Sequence, residues 1–512
     1  MARIESIHSP PQCSDAASSS ASFIQSPAAA QGELQESLAS LGLAVSISEE
    51  KGRCLIALRD FCRGQVILEQ DPYVSVLDKE SRGARCDSCF VQAKSLKRCS
   101  ACKHVWYCSS TCQKKEWKLH QDECKAINEV KRRKDQTPTS SMQLMLRLMF
   151  KRKLQLDKVV IRSAMDNHEI VELLPTHMAD TSEERLVLYA QMANLVAWIA
   201  GAATVDIKEV TQLFCRFACN AHTICDEELR PLGMGLFPVV SIINHSCEPN
   251  TVLLFEGKRA VVRALEQINV GSELTLSYIE LGTSTESRRK ALREQYYFTC
   301  NCPRCNHLGT GVVSLEDSIL EGLLCKNKAC KGHLISNKGS QKGLLCQLCG
   351  ALVNENEASK ILAEAKEVLR QASELASSGN HHSAARIKTE ELKHLQEKLW
   401  HPSSVHLMWT HDNLLKICMS EQDWQSALDY CRLTIPAYER IYPQFHPLLG
   451  LQFFALGKLE WYLGNTVEAI KALTTARDIL AVTHGSHGNF FQGLLSTLHD
   501  AQASLAQKRM FH

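Results

Sequence analysis

The sequence predicts an α+β protein in which a small β-rich region, metal-binding segments and a large helical region follow one another. Runs rich in strand-forming residues occupy positions 43–47, 54–58 and 274–279. From 357 to 507 the pattern predicts helices. Most of the 23 cysteines stand in closely spaced groups between these regions. Such spacing is typical of zinc ligands in a reducing compartment.

The size and charge of the chain narrow the classes of function. A chain of 512 residues is long enough for two to four domains with sizeable cores. Its formal net charge of +2 argues against electrostatic binding of nucleic acid by the protein as a whole, so direct DNA binding is not expected. No apolar run has the length that a bilayer requires, and the first residues lack the order of a secretory signal. We therefore expect no membrane partner.

The N-terminal residues 1–40 are rich in Ser, Ala and Gln and poor in large apolar side chains. Such a segment buries too little surface to offset the entropy of ordering it, so a disordered tail is predicted. A transit peptide is the alternative interpretation, although Arg3 alone supplies positive charge in this stretch.

A dense group of metal ligands occupies residues 86–124. The ligands come in pairs with two or three residues between partners: Cys86 and Cys89, Cys99 and Cys102, Cys108 and Cys112, His120 and Cys124. Two tetrahedral zinc sites account for all of them. The segment is too short to fold around an apolar core alone, so zinc binding and folding are expected to be one event.

Asn244 begins a polar heptad, Asn-His-Ser-Cys-Glu-Pro-Asn, that follows an apolar run over 236–243. This pattern predicts a loop at the end of a buried segment. Further along the chain another group supplies three thiolates: Cys300, Cys302 and Cys305. That set is one ligand short of a tetrahedral zinc site. Cys247 of the heptad is a natural fourth ligand, and it would tie the two segments together.

The heptad, the late tyrosine Tyr278 and the cysteine group that follows it together resemble the SET domain of protein lysine methyltransferases, with its post-SET zinc cluster. The resemblance implies that Tyr278 orients the lysine amine and the sulfonium end of S-adenosylmethionine, and that Tyr296 and Phe298 belong to the active-site wall. It also implies that Asn244 and His245 hold the cofactor through backbone and side-chain groups. The full set of cofactor-binding candidates is Arg53, His177, Asn220, Asn244, His245, Tyr278 and Phe298. A core aromatic role is the alternative for Tyr278.

The ligand segment 86–124 resembles a MYND zinc finger. The resemblance implies interleaved sites, one of Cys86, Cys89, Cys108 and Cys112 and the other of Cys99, Cys102, His120 and Cys124. Sequential ligation is the alternative. Gln113 and Trp117 match positions with which MYND modules bind proline-rich peptides. Packing of Trp117 in the small core of the finger is the other interpretation.

A MYND finger and a helical insert within a SET domain resemble the SMYD (SET and MYND domain) methyltransferases, especially their plant branch, over about residues 41–505. The chain departs from that pattern at Cys54, where the family usually has a glycine near the cofactor. It departs again at Ala221 and His222, which replace a glycine and a phenylalanine of the lysine channel. The first change bears on cofactor contact. The second bears on substrate choice or the degree of methylation; for His222 we expect a packed or channel-lining imidazole rather than a metal ligand.

Two later cysteine pairs, Cys325 with Cys330 and Cys346 with Cys349, have the spacing of a zinc ribbon. Free thiols in a loop are the alternative. In the helical region the His-Pro pairs at 401–402 and 446–447 stand about one repeat apart. This period favours tetratricopeptide (TPR)-like helical pairs, with an undivided bundle as the alternative.

The expected boundaries place the finger and the insert inside the SET domain. They are 1–40 for the tail, 41–85 for the first SET part, 86–124 for the finger, 125–230 for the helical insert, 231–280 for the SET core, 281–310 for the post-SET cluster, 311–355 for the ribbon and 356–512 for the TPR-like domain.

The sequence thus predicts an enzyme that transfers methyl groups from S-adenosylmethionine to lysine side chains of proteins, with histones as the expected substrate. Lysine must lose a proton before it attacks, and a narrow aromatic channel lowers the pKa of its amine by desolvation. The alternative is a catalytically weak adaptor that recruits partners through the finger and the helical repeats. We expect three structural zinc ions, or four if the ribbon binds metal, a monomeric state, and a location in nucleus and cytoplasm.

Overall fold

The computed structural model describes residues 28–134, 138–201, 206–306, 317, 320–337, 342–377, 383–402 and 404–510. Within these ranges the chain forms a β-rich core, a helical insert that carries a small cysteine-rich finger, and a long series of C-terminal helices. In the described part of the chain, no helix combines the length and the apolar character needed to cross a bilayer.

The first helix, α1 (Ala28–Ser40), occupies part of the predicted disordered tail. Its residues Leu34 and Leu38 are buried in the same core as Leu55 and Phe237. A spacing of four residues places both leucines on one helix face, and their burial stabilises a helix that the average composition of the tail does not reveal. The tail prediction is therefore wrong for residues 28–40, while 1–27 lie outside the described residues.

Short strands form the β-rich core and one hairpin of the finger. They are β1 (Leu43–Ser48), β2 (Gly52–Ala57), β3 (Val66–Gln70), β4 (Val74–Leu77), β5 (Lys97–Arg98), β6 (Trp106–Tyr107), β7 (Ala221–Cys225), β8 (Pro231–Leu236), β9 (Asn244–His245), β10 (Thr251–Glu256), β11 (Arg259–Ala264) and β12 (Thr275–Leu276). The pairings are β1 with β2, β5 with β6, β10–β11–β3 and β4–β8–β7, all antiparallel, and β9 with β12, which is parallel. The strand expected over 274–279 is thus shorter, and Tyr278 lies just beyond it.

Helices of the insert pack around a core of their own. They are α2 (Ser110–Lys134), α3 (Ser140–Leu156), α4 (His168–Glu172), α5 (Glu183–Ala200) and α6 (Ile207–Asn220). Leu146, Val196 and Phe214 are buried at the centre of this core, together with Val74 of β4. Because α2 begins in the finger and continues into the insert, the two parts share one rigid element.

A buried ionic network fixes the finger to the rest of the molecule. Glu123 of α2 accepts hydrogen bonds from Arg147 Nε at 2.9 Å and from Gln143 Nε2 at 2.7 Å. Glu116 of α2 pairs with Lys258 in the β10–β11 turn at 2.8 Å and with Arg147 at 3.4 Å. These charges are shielded from water, so each depends on its partners to offset the cost of desolvation. The orientation of the finger relative to both insert and core follows from this network.

Arg147→Met should loosen the finger, because it leaves the buried carboxylates of Glu116 and Glu123 without their shared cation. We expect the opening free energy of α2 and α3 to fall by about 3–5 kcal/mol, measured by native-state amide hydrogen exchange. Arg259→Met is the matched control, since this side chain is 49 % exposed and pairs with Glu69 and Asp71 at the surface. Its effect should stay below about 1 kcal/mol. Equal losses in the two variants would contradict the role given to the network.

In its described residues, the C-terminal half continues from the β-rich core through two helices and a small sheet into seven consecutive helices. Its elements are α7 (Thr285–Tyr296), α8 (Pro303–Asn306), β13 (Leu323–Leu324), β14 (His333–Asn337), β15 (Gly343–Cys346), β16 (Leu352–Asn354), α9 (Glu355–Ser377), α10 (Ser383–Leu399), α11 (Val405–Ser420), α12 (Trp424–Ile441), α13 (Pro447–Tyr462), α14 (Thr466–Thr483) and α15 (Asn489–Met510). From α9 onward each helix packs mainly on its neighbours along the chain. This is the arrangement of a helical solenoid, and the more specific TPR-like assignment stays a prediction.

The C-terminal helices dock directly on the β-rich core. The hydroxyl of Tyr442, just after α12, donates to Glu280 Oε1 at 2.7 Å. Tyr438 and Ile441 are buried in one cluster with Cys247 and Cys305. The helical domain therefore forms one wall of the region around Tyr278.

Candidate functional site

The polar heptad that begins at Asn244 is held in place by a short parallel pairing. Asn244 and His245 pair with Thr275 and Leu276. The side chain of Asn250 extends this pairing, since its Oδ1 accepts from Thr275 N–H at 2.8 Å and its Nδ2 donates to Glu273 O at 2.9 Å. The heptad and the segment that carries Tyr278 thereby become one unit.

His245 connects Tyr278 to Cys247. Its Nδ1 accepts a hydrogen bond from the backbone N–H of Tyr278 at 3.0 Å, so the ring proton lies on Nε2. Nε2 is 3.2 Å from Cys247 Sγ. Both ring nitrogens are thus engaged within the protein. Of the two kinds of cofactor contact predicted for His245, the backbone groups alone remain available to a ligand.

Tyr278 presents its hydroxyl oxygen as an acceptor. The O–H donates to the carbonyl oxygen of Ile243 at 2.5 Å, which commits its single proton. Burial raises the pKa of this hydroxyl, so it stays protonated at neutral pH. The ring centroid lies 4.8 Å from that of Tyr296 and 5.4 Å from that of His245. Phe298 packs on the same imidazole at 6.1 Å, so the predicted aromatic residues do come together.

A cleft of about 490 Å³ opens beside these aromatic rings. Its lining comes from the β-rich core, the post-SET region and the start of α13, and includes Ala221, His222, Tyr278, Glu280, Tyr296 and His446. Burial lowers the pKa of His222 to about 4, so its imidazole is neutral at physiological pH. Its Nε2 lies 3.4 Å from Ser241 Oγ, and its ring meets Phe237 edge-on. His222 is therefore a packed, channel-lining imidazole and belongs to none of the cysteine clusters.

The residues around Asn244 form the expected cofactor side of the site. Asn244 Nδ2 donates to Arg53 O at 3.1 Å and to Glu273 Oε1 at 2.9 Å. Burial lowers the pKa of the Arg53 guanidinium, which has no ion-pair partner among the described residues. Gly52 has a left-handed φ of +73°, and a Cβ there would meet open space. An unpaired, partly buried cation beside an open turn fits an anionic group such as the carboxylate of S-adenosylmethionine.

Two other cofactor candidates, Asn220 and His177, have different surroundings, and so does Cys54. Asn220 Nδ2 donates to Pro175 O at 2.9 Å, and Asn220 O accepts from Ser241 Oγ at 3.0 Å. Asn220 thereby joins the loop that carries His177 to the β-rich core. His177 itself stacks on Tyr297 with ring centroids 5.1 Å apart. Cys54, the departure from the family glycine, turns its side chain into the protein, where it is buried.

Four cysteine-rich clusters are assembled in the described residues, and in each the ligand atoms lie within 4.8 Å of one another. The clusters are Cys86, Cys89, Cys108 and Cys112; Cys99, Cys102, His120 and Cys124; Cys247, Cys300, Cys302 and Cys305; and Cys325, Cys330, Cys346 and Cys349. The finger thus has the interleaved arrangement and not the sequential one. The chemistry of these donor sets suits zinc, and each cluster could hold one ion.

Charged side chains beside two of these clusters are placed to support a bound metal ion. His120 turns Nε2 toward Cys102 Sγ at 3.6 Å and binds Glu123 through Nδ1 at 2.7 Å, the orientation that a carboxylate gives to a metal-bound histidine. In the post-SET cluster Arg288 is 1 % exposed, and its Nη2 lies 4.0 Å from Cys305 Sγ. A buried guanidinium there offsets the negative charge that four thiolates would bring.

Sequence reasoning did not identify Glu273, Glu123 and Arg288 as parts of these sites. Each is a single charged residue outside any recognisable ligand spacing, and each has at least one partner that is distant in sequence. The hydrogen bonds of the Asn250 side chain to Glu273 and Thr275 were easier to anticipate, because Asn250 is the last residue of the polar heptad. The burial of Glu123 and Arg288, however, follows from tertiary packing alone.

Comparison with protein families matches residues 52–279 to the SET domain. The fold and the site thus define a SET-domain methyltransferase, a class that uses S-adenosylmethionine as methyl donor. The chain is 46 % identical over 478 residues to "Histone-lysine N-methyltransferase ASHR1" of Arabidopsis thaliana, covering 93 % of this chain and 99 % of that protein.

Animal relatives have lower sequence identity, but the similarity again extends over most of both chains. The chain is 28 % identical to "Histone-lysine N-methyltransferase SMYD3" of Homo sapiens, covering 89 % of this chain and 96 % of that protein. It is also 28 % identical to "N-lysine methyltransferase SMYD2" of Gallus gallus, covering 90 % and 98 %. The chain belongs to the SMYD family of protein lysine methyltransferases, in its plant branch. These comparisons do not favour the catalytically weak adaptor.

Tyr278→Phe should slow methyl transfer by roughly a hundredfold while leaving the fold intact, because it removes one oriented oxygen and little volume. Cofactor affinity should change by no more than a few-fold. Single-turnover methylation and calorimetric cofactor titration measure the two effects.

Tyr73→Phe is the matched control for that substitution. It also removes a buried hydroxyl, which donates to Gln155 Oε1 at 3.1 Å, but it lies outside the cleft. A parental rate in Tyr278→Phe, or an equal loss in Tyr73→Phe, would contradict the role of the Tyr278 oxygen.

His245→Ala tests how this residue acts. Because the ring joins Tyr278 to Cys247 and leaves only backbone groups for a ligand, we expect kcat to fall strongly. The cofactor Kd should change only a few-fold. His177→Ala, which removes an imidazole stacked on Tyr297, serves as the comparison. A large rise in cofactor Kd with unchanged kcat would instead show that the His245 side chain contacts the cofactor directly.

Proposed function

We propose that this methyltransferase acts on lysine side chains of histones. The observation that carries the proposal is the Tyr278 hydroxyl: its proton is bound by Ile243 O, and its oxygen remains as an acceptor beside Tyr296 at the cleft. The printed names of the Arabidopsis and human relatives support histones as the substrate class. S-adenosylmethionine supplies an electrophilic methyl group when bound.

The residues of the cleft would prepare the lysine for attack. Glu280 lines the cleft and offers a carboxylate that attracts the incoming ammonium. Deeper in, burial raises the pKa of both Tyr278 and Tyr296, a sign of a poorly hydrated site that equally favours the neutral amine. One proton of the ammonium leaves to solvent, and the Tyr278 oxygen accepts a hydrogen bond from one of the two remaining N–H groups, which aligns the nitrogen lone pair.

Zinc would serve structure rather than chemistry in this protein. We assign two ions to the finger and one to the post-SET cluster, since each of these donor sets supplies four ligands and leaves no open position. The post-SET ion would be held by Cys247, Cys300, Cys302 and Cys305. It would thus fix the position of Cys247 and, through His245, of Tyr278.

The exposed face of the finger is proposed as a docking site for proline-rich peptides. Trp117 is 46 % exposed and stands one helical turn after Gln113, which is also exposed. An indole on the surface of a finger is available for a partner, which disfavours a purely core role.

Trp117→Ala should weaken binding of a proline-rich peptide by tenfold or more, measured by fluorescence polarisation, because an exposed aromatic anchor is removed. Methylation of a short lysine peptide should not change. Lys125→Ala on the same helix is the control, since its side chain is 78 % exposed. Unchanged peptide affinity in Trp117→Ala would exclude the docking site.

The cleft is completed within one chain, because the core, the post-SET region and α13 all contribute to it. This supports a monomer as the active form. The many unpaired cysteines fit a reducing location, and we propose the nucleus and the cytoplasm.

The substrate proposal is tested with purified core histones, a cofactor carrying an isotopic methyl group, and mass spectrometry of the products. Mass should be added on lysine side chains and should be absent when the histone lysines are acetylated beforehand. The Tyr278→Phe protein should reduce the yield in parallel. The histone proposal would be wrong if the protein binds cofactor and methylates other proteins in a cell extract but does not methylate histones.

A further inference from the structure

The small sheet β13–β14–β15–β16 carries a cysteine cluster that lies outside the SET, MYND and post-SET parts. Cys325 and Cys330 come from the segment between β13 and β14, Cys346 is the last residue of β15, and Cys349 lies in the turn that follows. The four sulfurs lie within 4.8 Å of one another. Pairs of cysteines on two facing turns of an antiparallel sheet make the ligand arrangement of a zinc ribbon.

The backbone around these sulfurs is shaped for them. Gly332 N–H donates to Cys330 Sγ at 3.3 Å, and Cys325 N–H donates to Gly332 O at 3.0 Å. A Cβ on Gly332 would lie 2.7 Å from Cys346 Sγ. On the other turn Gly350 has a left-handed φ of +69°, and its N–H donates to Cys346 O at 3.1 Å. Both glycines thus let the backbone fold closely around the sulfur atoms.

From this geometry we propose that Cys325, Cys330, Cys346 and Cys349 bind one structural zinc ion as four thiolates. Binding releases the four thiol protons to solvent and involves no redox change. Two disulfides are the competing outcome, because Cys325 and Cys349 sulfurs are 3.7 Å apart and those of Cys330 and Cys346 are 3.6 Å apart. The convergence of all four sulfurs on one point favours a single shared ion.

The sheet contributes few apolar residues of its own to the cluster in which it packs. Its buried residues are few, among them Leu323, Leu334, Leu344 and Val353. A layer of this size gains little from burial, and small domains of this kind depend on a metal or on disulfides. The ion would therefore hold the two cysteine turns, and with them the whole sheet, in register.

The sheet in turn determines where the helical domain begins. Strand β16 ends at Asn354 and α9 starts at Glu355 without a linker. Ala365 and Val368 of α9 pack in the same cluster as the sheet, and so does Trp400 after α10. His401 N–H also donates to Gly322 O at 3.2 Å. The zinc ion would thus anchor the first helical pair, some distance along the chain from the active-site cleft.

The test is the zinc content of the full-length protein, measured by native mass spectrometry after purification under reducing conditions. The decisive number is the difference between the parent and Cys349→Ser. We expect the parent to hold one more zinc ion than the variant. Cys62→Ser is the control, since Cys62 is exposed and belongs to none of the clusters, and it should match the parent. Because the test compares the zinc content of two proteins with the same finger and post-SET cluster, an error in those two assignments would not change the expected difference.

Hydrogen exchange separates loss of the ion from loss of the fold. In Cys349→Ser the amides of α9 and α10 should exchange at least tenfold faster, while those of α13 and α14 and the calorimetric cofactor affinity should be unchanged. Equal zinc content in parent and variant would overturn the proposal. The proposal would also be wrong if the thiols of the parent resist alkylation and its mass reveals disulfides at these positions.

If Cys349→Ser is insoluble, stepwise chelation of the parent gives the same answer: the most weakly bound ion should leave as the amides of α9 lose their protection from exchange.

Discussion

The imidazole ring of His245 is the connection on which the active site depends. One nitrogen accepts from the Tyr278 backbone and the other faces Cys247 Sγ, so one ring holds both Tyr278 and the post-SET cluster. The ring is buried, and a buried polar group that loses its partner costs about 1–3 kcal/mol. The tyrosine and the cysteine cluster can therefore shift only together, which keeps the cleft in a single geometry.

A few partly buried polar contacts connect the finger, the helical domain and the insert to this unit. Lys258 ties the core to the finger through Glu116, and Glu280 ties it to the helical domain through Tyr442. Asn220 connects the insert to the core. Since polar contacts of this kind are directional, they fix orientation where apolar packing alone would tolerate sliding. The methyltransferase thus has a preformed cleft with walls from three parts of the chain.

Much of the metal-binding architecture could be predicted because cysteine pairs reach a common ion only at short, characteristic spacings. The heptad beginning at Asn244 was equally informative, since its breakers mark a loop after a buried run. The α1 helix escaped prediction, because Leu34 and Leu38 are stabilised by a core formed from residues far along the chain. The strand around Tyr278 was overextended for a related reason: its end is set by the bond to His245, not by propensity.

The sequence by itself determined the fold class and the ligand pairs, since these depend on local periodicity and spacing, and its resemblance to SET domains indicated Tyr278. The tertiary structure decided which ligand pairs come together, that both His245 nitrogens are occupied, and that His222 is neutral. It also decided that Glu123 and Arg288 are buried beside the clusters. These outcomes depend on desolvation and on partners distant in sequence, and neither is encoded in any short stretch of the chain.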